Sequence, residues 1–224
     1  MSKKRLLIFG CGNVGGFIAN NLEEFTGEQY IIEGFLDDDV QKIGQLLFGH
    51  RVIGDIDKIS QYVTEVSVVI CVSNPIHRKS IYEKLSSLPN VNFPAFVSRH
   101  VWISNKVEIG KGVIIYPGVA INYNTRIADF CIINMNCSIG HDCTISRCAT
   151  LAPGVSLAGF TYLEDCVEMC INSATVQGTR VGQNSIVGGM GMVTRNIPAN
   201  CTAVGVPARP IKQHCGYASM KNEG

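Results

Sequence analysis

This sequence has almost no excess of positive over negative charge, few aromatic residues and no long apolar run. Its 224 residues include 19 Lys+Arg against 18 Asp+Glu, which gives a net charge of +1, and only 8% are aromatic. A chain without a basic excess lacks the electrostatic footprint that nucleic acid or an anionic membrane requires, so we expect neither as a partner. The longest apolar run, residues 66–72, is interrupted by Ser67 and is too short to cross a bilayer. We therefore expect a cytoplasmic protein without membrane insertion.

The sequence also lacks a C-x-x-C pair, although it contains ten cysteines, and we expect it to have no export signal. The charged start is followed by an apolar stretch that already ends at Gly10, which is too short for a signal peptide. We interpret all ten cysteines as reduced thiols that serve as small apolar residues. Cys148 and Cys166 lie 18 residues apart, which would permit a disulfide, but a thiol pair fits a reducing compartment better.

The first 98 residues alternate between apolar runs and helix-like stretches. Residues 5–9, 30–36 and 66–72 are rich in aliphatic side chains, and the β-branched run at 66–72 is typical of a strand buried on both faces. A helix signal follows at residues 73–75, where a capping side chain precedes proline. Strands separated by helices predict parallel βαβ units, and hence a small Rossmann-like α/β domain over residues 1–98.

A glycine-rich loop follows the first predicted strand with the spacing G-x-G-x-x-G, which is typical of a phosphate-binding turn. About a hundred residues supply only half of a dinucleotide fold, so we predict one nucleotide here, such as the UDP of a UDP-sugar. A turn kept only for packing is the alternative. The candidate ligand residues at the carboxyl ends of the strands are Gly10, Gly12, Gly15, Asp37, Ser73 and Asn74.

From Val101 the period of the sequence changes to six. The third residue of each hexad is aliphatic in fifteen of sixteen hexads, and only Thr175 departs from the pattern. The first residue of each hexad is small or β-branched. Such a repeat predicts a parallel β-helix in which three hexads make one triangular coil, and sixteen hexads make about five coils.

This hexad pattern resembles the hexapeptide-repeat acyltransferases, whose β-helix is left-handed. Residues 203–210 resemble the segment that closes the β-helix in acetyl-CoA-dependent members. The resemblance implies a β-helix acetyltransferase domain over residues 99–212, with a C-terminal tail at 213–224.

His141 is the only one of five histidines inside the repeat array. It occupies the fifth position of its hexad, where side chains face outward at a turn. A neutral imidazole is a suitable general base near pH 7, and the adjacent Asp142 could orient it. The alternative is an exposed turn histidine without a role.

The Asn134-x6-His141-Asp142 pattern and the N-terminal αβ unit together resemble the bacterial sialic acid O-acetyltransferases and nucleotide-sugar N-acetyltransferases. The resemblance implies acetyl-CoA as co-substrate, His141 as base with Asp142 beside it, and Asn134 as a substrate contact. Many members have Glu where this chain has Asp142, whose side chain is shorter.

The same resemblance implies further contacts for acetyl-CoA. Gly159 follows His141 by 18 residues and would stack one coil above it, with its backbone N–H on the thioester carbonyl. Ile171 and Gly189 would line the pantetheine channel with main-chain groups. Arg209 and Lys212 would face the coenzyme phosphates or only solvent.

We therefore predict an N-acetyltransferase acting on a UDP- or dTDP-linked amino sugar in bacterial glycan or glycoprotein biosynthesis, without a metal. We expect a homotrimer, in which outward apolar side chains such as Val155 and the neighbours of Leu163 would be covered. The Gly159 region of one subunit would then complete the His141 cleft of the next. The alternatives are O-acetylation of sialic acid or another glycan hydroxyl, a zinc enzyme on the same fold, and a non-catalytic scaffold. A zinc site needs about three histidines, and the array supplies one.

Overall fold

The computed structural model describes residues 3–26 and 29–214. It divides into two compact units, Met1–Arg99 and His100–Gly224. Residues 215–224 of the predicted tail lie outside the described residues, and Gln213 is the last residue of a strand.

The N-terminal unit is an α/β sheet whose strands lie in the order Leu46–Leu47 (β3), His50–Gly54 (β4), Tyr30–Leu36 (β2), Lys4–Phe9 (β1), Val66–Ile70 (β5) and Val91–Asn92 (β6). Its pairings are parallel except that of β3 with β4, which is antiparallel. Two short 3₁₀ turns lie in the connections: Val40–Lys42 between β2 and β3, and Ile56–Gln61 between β4 and β5. The elements are β1 (Lys4–Phe9), α1 (Asn13–Asn20), α2 (Leu22–Thr26), β2 (Tyr30–Leu36), β3 (Leu46–Leu47), β4 (His50–Gly54), β5 (Val66–Ile70), α3 (Pro75–Leu85), β6 (Val91–Asn92) and β7 (Phe96–Val97).

The sequence signals explain these elements. All five residues of β5 are buried, as a continuous β-branched run predicts. The Asn74 side chain accepts a hydrogen bond of 2.9 Å from the His77 N–H and caps α3, whose first residue is Pro75. The turn between β1 and α1 requires glycine, since Gly10 has φ +97° and a Cβ on Gly15 would lie 2.0 Å from the Gly10 carbonyl oxygen.

The C-terminal unit is a parallel β-helix whose strands are the second and third residues of each hexad. Strands 18 residues apart pair in parallel and build three faces of a prism. We name them by strand: the first face (β8, β11, β14, β17, β20, β23), the second face (β9, β12, β15, β18, β21) and the third face (β10, β13, β16, β19, β22). The sixteen strands are β8 (Trp102–Ile103), β9 (Glu108–Ile109), β10 (Ile114–Ile115), β11 (Ala120–Ile121), β12 (Arg126–Ile127), β13 (Ile132–Ile133), β14 (Ser138–Ile139), β15 (Thr144–Ile145), β16 (Thr150–Leu151), β17 (Ser156–Leu157), β18 (Tyr162–Leu163), β19 (Glu168–Met169), β20 (Ala174–Thr175), β21 (Arg180–Val181), β22 (Ile186–Val187) and β23 (Met192–Val193).

The third residue of each hexad fills the prism, and it is buried from Ile115 onward. The first residue is buried as well from Val113 onward, so it lies at an inner corner where little space remains, which explains why it is small. The expectation that Val155 faces outward is therefore wrong, because it is fully buried. Among the neighbours of Leu163, Tyr162 is exposed.

One pair of strands departs from the regular ladder. Neighbouring strands on a face are joined by two residue pairs as a rule, but β17 and β20 are joined only by Ser156 and Ala174. The missing pair would have joined Leu157 to Thr175. The ladder thus changes at the single hexad whose third residue is polar.

A two-stranded hairpin ends the described β-helix. β24 (Cys201–Val204) continues the third face, and β25 (Arg209–Gln213) pairs with it antiparallel. Arg209 and Lys212 lie on β25 and are exposed.

The nine cysteines in the described residues are thiols rather than disulfides, and Cys215 lies outside them. Cys131, Cys137 and Cys143, which sequence analysis treats as apolar filling, also donate S–H hydrogen bonds to carbonyls of the following coil. Over residues 3–26 and 29–214, no helix has the length and apolarity needed to span a membrane.

Candidate active site

His141 lies at the corner between the first and second faces, directly after β14. Its Nδ1 is 2.8 Å from Oδ2 of Asp142, and about a third of the His141 side chain is exposed. A carboxylate accepts a hydrogen bond from Nδ1–H, so this contact selects the tautomer that leaves a lone pair on Nε2. The pair has the arrangement of a general base with its orienting acid.

Asp142 is itself held by a residue one coil earlier. The Asn124 side-chain amide donates a hydrogen bond to Oδ1 of Asp142. Both residues occupy the sixth position of a hexad and have a left-handed backbone, with φ of +57° and +55°, a conformation that Asn and Asp tolerate. The Asn124 amide, and then the His141 imidazole, hold the pKa of the Asp142 carboxyl below its usual range.

Aromatic rings enclose the imidazole on two sides. Tyr123 stacks on it with ring centroids 5.4 Å apart and an interplanar angle of 12°. Phe160 meets it edge-on at 5.1 Å and 89°. These contacts restrict rotation of the ring, so that its position is set by packing as well as by Asp142.

Gly159 stacks on His141 in the same chain, as the 18-residue spacing predicts. A Cβ at Gly159 would lie 2.7 Å from both Nε2 and Cε1 of the imidazole. Glycine is therefore required for this close approach. The expected arrangement, in which Gly159 of one subunit completes the His141 cleft of the next, is corrected on this point because one chain holds both residues.

Gly140, which directly precedes His141, packs closely against the backbone of the next coil at Gly159. A Cβ at Gly140 would lie 2.6 Å from the Gly159 nitrogen. In the part of the chain that the structure describes, the Gly159 N–H donates to no acceptor. It remains available to a bound ligand.

Asn134, Ile171 and Gly189 lie at a different corner, between the third and first faces. Gly189 stacks on Ile171, since its Cβ would lie 3.2 Å from the Ile171 side chain, and Ile171 is 53% exposed. The Asn134 side chain accepts a hydrogen bond of 2.8 Å from the Met135 N–H. Within one chain, the predicted pantetheine residues are thus separated from Gly159 by the strands of the first face.

The predicted nucleotide residues of the N-terminal unit gather at the carboxyl ends of β1, β2 and β5. Four of the six, Gly10, Gly12, Asp37 and Ser73, line a cavity of about 350 Å³. Nothing lies within 4 Å of the position that a Cβ would take on Gly12, so Gly12 faces open space. Gly15 packs inside the turn and Asn74 caps α3, so these two shape the cavity rather than line it. The lining includes Gly10, Gly12, Asp37, Asp38, Ser73 and His77.

Asp37 is bound to the glycine loop itself. Its carboxylate accepts hydrogen bonds from the Cys11 N–H at 3.1 Å and the Cys11 thiol at 2.9 Å, and Lys42 Nζ lies 3.3 Å away. Burial acts to raise the pKa of Asp37, but the hydrogen bonds from Cys11, from the Asp39 N–H and from Lys42 together outweigh it and hold that pKa below its usual range. Burial, together with Asp37, raises the pKa of the Cys11 thiol to about 11. Asp37 therefore stabilises the loop conformation in addition to facing the cavity.

Three residues of the His141 corner were missed by sequence analysis: Tyr123, Asn124 and Phe160. The signal was available, because the 18-residue step that finds Gly159 also leads back from His141 to Tyr123 and from Asp142 to Asn124. Among the described residues, no three His, Cys, Asp or Glu side chains are grouped so that they could hold a metal ion.

The chain has relatives among known proteins. Residues 5–85 match the family described as the PglD N-terminal domain. GDP-perosamine N-acetyltransferase from Escherichia coli O157:H7 is 26% identical over 217 residues, which covers 92% of this chain and 96% of that protein. UDP-3-O-acylglucosamine N-acyltransferase from Methylorubrum extorquens (strain PA1) is 30% identical over 112 residues, or 50% of this chain. The match spans about a third, 31%, of that longer relative.

Solved structures share the architecture of both units. WeeI from Acinetobacter baumannii AYE superimposes with a TM-score of 0.82 at 27% identity, covering 93% of this chain and 100% of that chain. PerB from Caulobacter crescentus, solved with CoA and GDP-perosamine, gives a TM-score of 0.84 at 24% identity, covering 94% of this chain and 99% of that chain. The fold is thus an N-terminal α/β domain followed by a left-handed β-helix. With a match to the PglD N-terminal domain followed by sixteen hexads, the chain is similar over nearly its whole length to the E. coli GDP-perosamine N-acetyltransferase.

Proposed function

We propose that this protein is an acetyl-CoA-dependent N-acetyltransferase that acts on the amino group of a nucleotide-linked amino sugar. The observation that supports it most is the His141 imidazole, bound through Nδ1 to Asp142 and packed with Nε2 against Gly159. The E. coli relative, matched over nearly its whole length, bears the name of a nucleotide-sugar N-acetyltransferase.

His141 acts as the general base through Nε2. As the neutral amine of the sugar attacks the thioester carbonyl carbon, Nε2 takes the proton that the nitrogen loses. The Asp142 carboxylate, 2.8 Å from Nδ1, stabilises the imidazolium that forms. When the carbon–sulfur bond breaks, the imidazolium returns this proton to the departing thiolate.

The Gly159 N–H stabilises the negative charge that develops on the thioester oxygen. Its position beside Nε2 places a hydrogen-bond donor and a proton acceptor next to one reacting centre. A donor that is already oriented lowers the barrier without reorganisation during the reaction.

The active protein is a homotrimer with sites shared between copies. Gly159 and His141 lie at one corner of the prism, whereas Asn134, Ile171 and Gly189 lie at another. A coenzyme held by both corners therefore needs a second copy, whose third-to-first corner faces the His141 corner of its neighbour. Closed cyclic symmetry then creates identical sites.

The N-terminal unit binds the nucleotide at the cavity beside the glycine loop. Gly12 is open to an approaching phosphate, and Asp38 and His77 at the rim offer groups for a base or a ribose. We propose UDP or dTDP as carrier. GDP is the alternative, because the E. coli relative is named for a GDP-linked sugar.

The decisive experiment measures CoA release from acetyl-CoA with a panel of UDP-, dTDP- and GDP-linked amino sugars. We expect turnover with at least one 4-amino sugar and a product whose acetyl group resists hydroxylamine, as an amide does. A hydroxylamine-labile product would indicate O-acetylation of a hydroxyl instead. Absence of acetyl-CoA binding would contradict the proposed function.

A further inference from the structure

Thr175 is the one polar residue at the third position of a hexad, and it changes the backbone next to Gly159. At the same corner one coil earlier, the Gly140 N–H donates to the Leu157 carbonyl at 2.8 Å, as the regular ladder requires. The Ala158 N–H instead donates to the Thr175 hydroxyl at 3.1 Å. The break in pairing between β17 and β20 therefore has a side-chain cause.

Two buried hydroxyls close a ring around Ala158. Thr175 Oγ1 lies 2.7 Å from Thr161 Oγ1, and the Thr161 hydroxyl donates to the Ala158 carbonyl at 2.7 Å. Because Thr161 gives its proton to that carbonyl, the proton between the two hydroxyls must come from Thr175. Thr175 thus accepts from the Ala158 N–H and donates to Thr161, so each hydroxyl makes one bond of each kind.

The Ala158 carbonyl shares its peptide group with the Gly159 N–H. In a planar trans peptide the two groups point in opposite directions, so a bond that fixes the carbonyl also fixes the N–H. The carbonyl accepts from Thr161 and, at 3.3 Å, from the Cys143 thiol. Hydrogen bonds to a carbonyl polarise its peptide group and strengthen the N–H as a donor.

The Thr161 bond alone is a general feature of the repeat. Ser173 and Thr179, also at first positions, donate to the carbonyl three residues earlier at 2.7 and 2.8 Å. What distinguishes the Gly159 coil is Thr175, which fixes the Thr161 hydroxyl and takes the Ala158 N–H out of the ladder. The departure from the hexad pattern falls one coil after Gly159, on the strand that stacks on β17, which leads into the proposed oxyanion donor.

We propose that Thr175, acting through Thr161, is a positioning residue that aims the Gly159 N–H at the thioester carbonyl oxygen and strengthens it as a donor. This inference rests on the proposed function. It predicts that replacing the Thr175 hydroxyl by a methyl group impairs acetyl transfer, although Thr175→Val restores the aliphatic pattern of the other fifteen hexads.

The test compares Thr175→Val and Thr175→Ser by kinetics and by infrared spectroscopy of bound acetyl-CoA labelled with ¹³C at the thioester carbonyl. For Thr175→Val we expect kcat to fall about tenfold, part of the roughly 10²–10³ that loss of a whole oxyanion donor costs. The KM for the sugar nucleotide and the pH profile should remain unchanged. The carbonyl band, displaced to lower frequency in the wild type, should return towards its position in solution. Thr175→Ser, which keeps the hydroxyl, should retain the wild-type kcat and the wild-type position of the carbonyl band.

Ser185→Ala is the matched control. The buried Ser185 hydroxyl also bridges backbone groups, since it accepts from the Cys201 N–H and donates to the Pro198 carbonyl, but it lies at the corner between the second and third faces. This variant should have a lower melting temperature than the wild type and a normal kcat. If Thr175→Val shows the wild-type band displacement and kcat, the inference is overturned while the proposed function stands. If the wild type itself does not displace the band, the proposed function fails with it.

Discussion

The Asn124 side chain donates a hydrogen bond to Asp142, the carboxylate that in turn holds Nδ1 of His141. Three side chains from two successive coils therefore form one chain of hydrogen bonds that ends at the proposed base. The ladder bonds of β11 with β14 fix the distance between these coils.

His141→Ala should abolish most of the turnover. Loss of a positioned proton acceptor should lower kcat by roughly 10²–10⁴-fold. The melting temperature should change little, because the side chain lies at a corner outside the prism. Steady-state kinetics and thermal unfolding measure the two effects. Higher pH should partly restore the rate by deprotonating the amine in solution, and near-normal turnover at pH 7 would contradict the role of His141.

Asn124→Ala should lower kcat by roughly tenfold, as expected when a contact that positions the base is lost. The pKa of Asp142 is lowered in the folded protein, and Asn124 is its largest cause. The stability that this carboxylate adds is fully present above the unfolded pKa of about 3.9 and is lost as the pH falls through the lower folded value. The difference in melting temperature between wild type and variant should therefore shrink between about pH 5 and pH 3. A constant difference across that range would show that Asn124 does not act through the Asp142 charge.

Gly159→Ala should displace the imidazole, since the new Cβ would lie 2.7 Å from Nε2 and the rings of Tyr123 and Phe160 leave little room for adjustment. We expect kcat to fall by at least roughly 10²-fold, because both the base and the oxyanion donor are affected. Gly182→Ala is the control, because its Cβ would meet the Ala199 backbone at 2.4 Å at a corner without proposed site residues. The Gly182→Ala variant should have a lower melting temperature and an unchanged kcat. An equal loss of activity in both variants would indicate general damage to the β-helix.

Gly12→Trp should raise the KM for the sugar nucleotide without lowering the affinity for acetyl-CoA. The side chain would enter the cavity beside the glycine loop, where a Cβ has no neighbour within 4 Å, so the fold should tolerate it. Calorimetric titration of each ligand separates the two effects. If the affinities for both ligands fall together in a variant that melts normally, the two units do not divide binding as proposed.

Shared sites predict complementation between inactive chains. His141→Ala and Gly189→Trp should each be inactive as pure trimers of three 24.3 kDa chains. When the two are co-assembled in equal amounts, about a quarter of the sites should combine an intact His141 corner with an intact Gly189 corner. Activity near that fraction of wild type would support the shared site. No recovery, or a monomer in sedimentation, would exclude it.

Periodicity predicts most of the β-helix, because one buried position in six sets the strands, and the 18-residue step sets which residues stack. It also predicts the closeness of His141 and Gly159. It fails for Val155, since a small residue at a fixed offset looks the same whether it lines an inner corner or an outer one. Only its burial in the folded coil distinguishes these cases.

Other contacts lay beyond any sequence pattern. The bond between Asp37 and the Cys11 thiol depends on the exact path of the glycine loop, across 26 residues without a repeat to relate them. Thr175 was visible as an exception, but its partner Thr161 lies 14 residues away rather than 18, so stacking arithmetic does not find it. Such diagonal contacts between neighbouring coils depend on the folded path of the backbone and leave no mark in the spacing of the sequence.

The coil of 18 residues also sets a rule for insertions. Tyr123, His141 and Gly159 meet because two whole coils separate the first from the last. Adding one residue anywhere between them would rotate everything downstream around the prism and carry Gly159 away from the imidazole. Adding a full coil of 18 residues after Val193, at the end of β23, would lengthen the molecule by about 4.8 Å and leave the His141 corner in phase. Chain length can therefore vary in this protein only outside residues 123–160 or in whole turns.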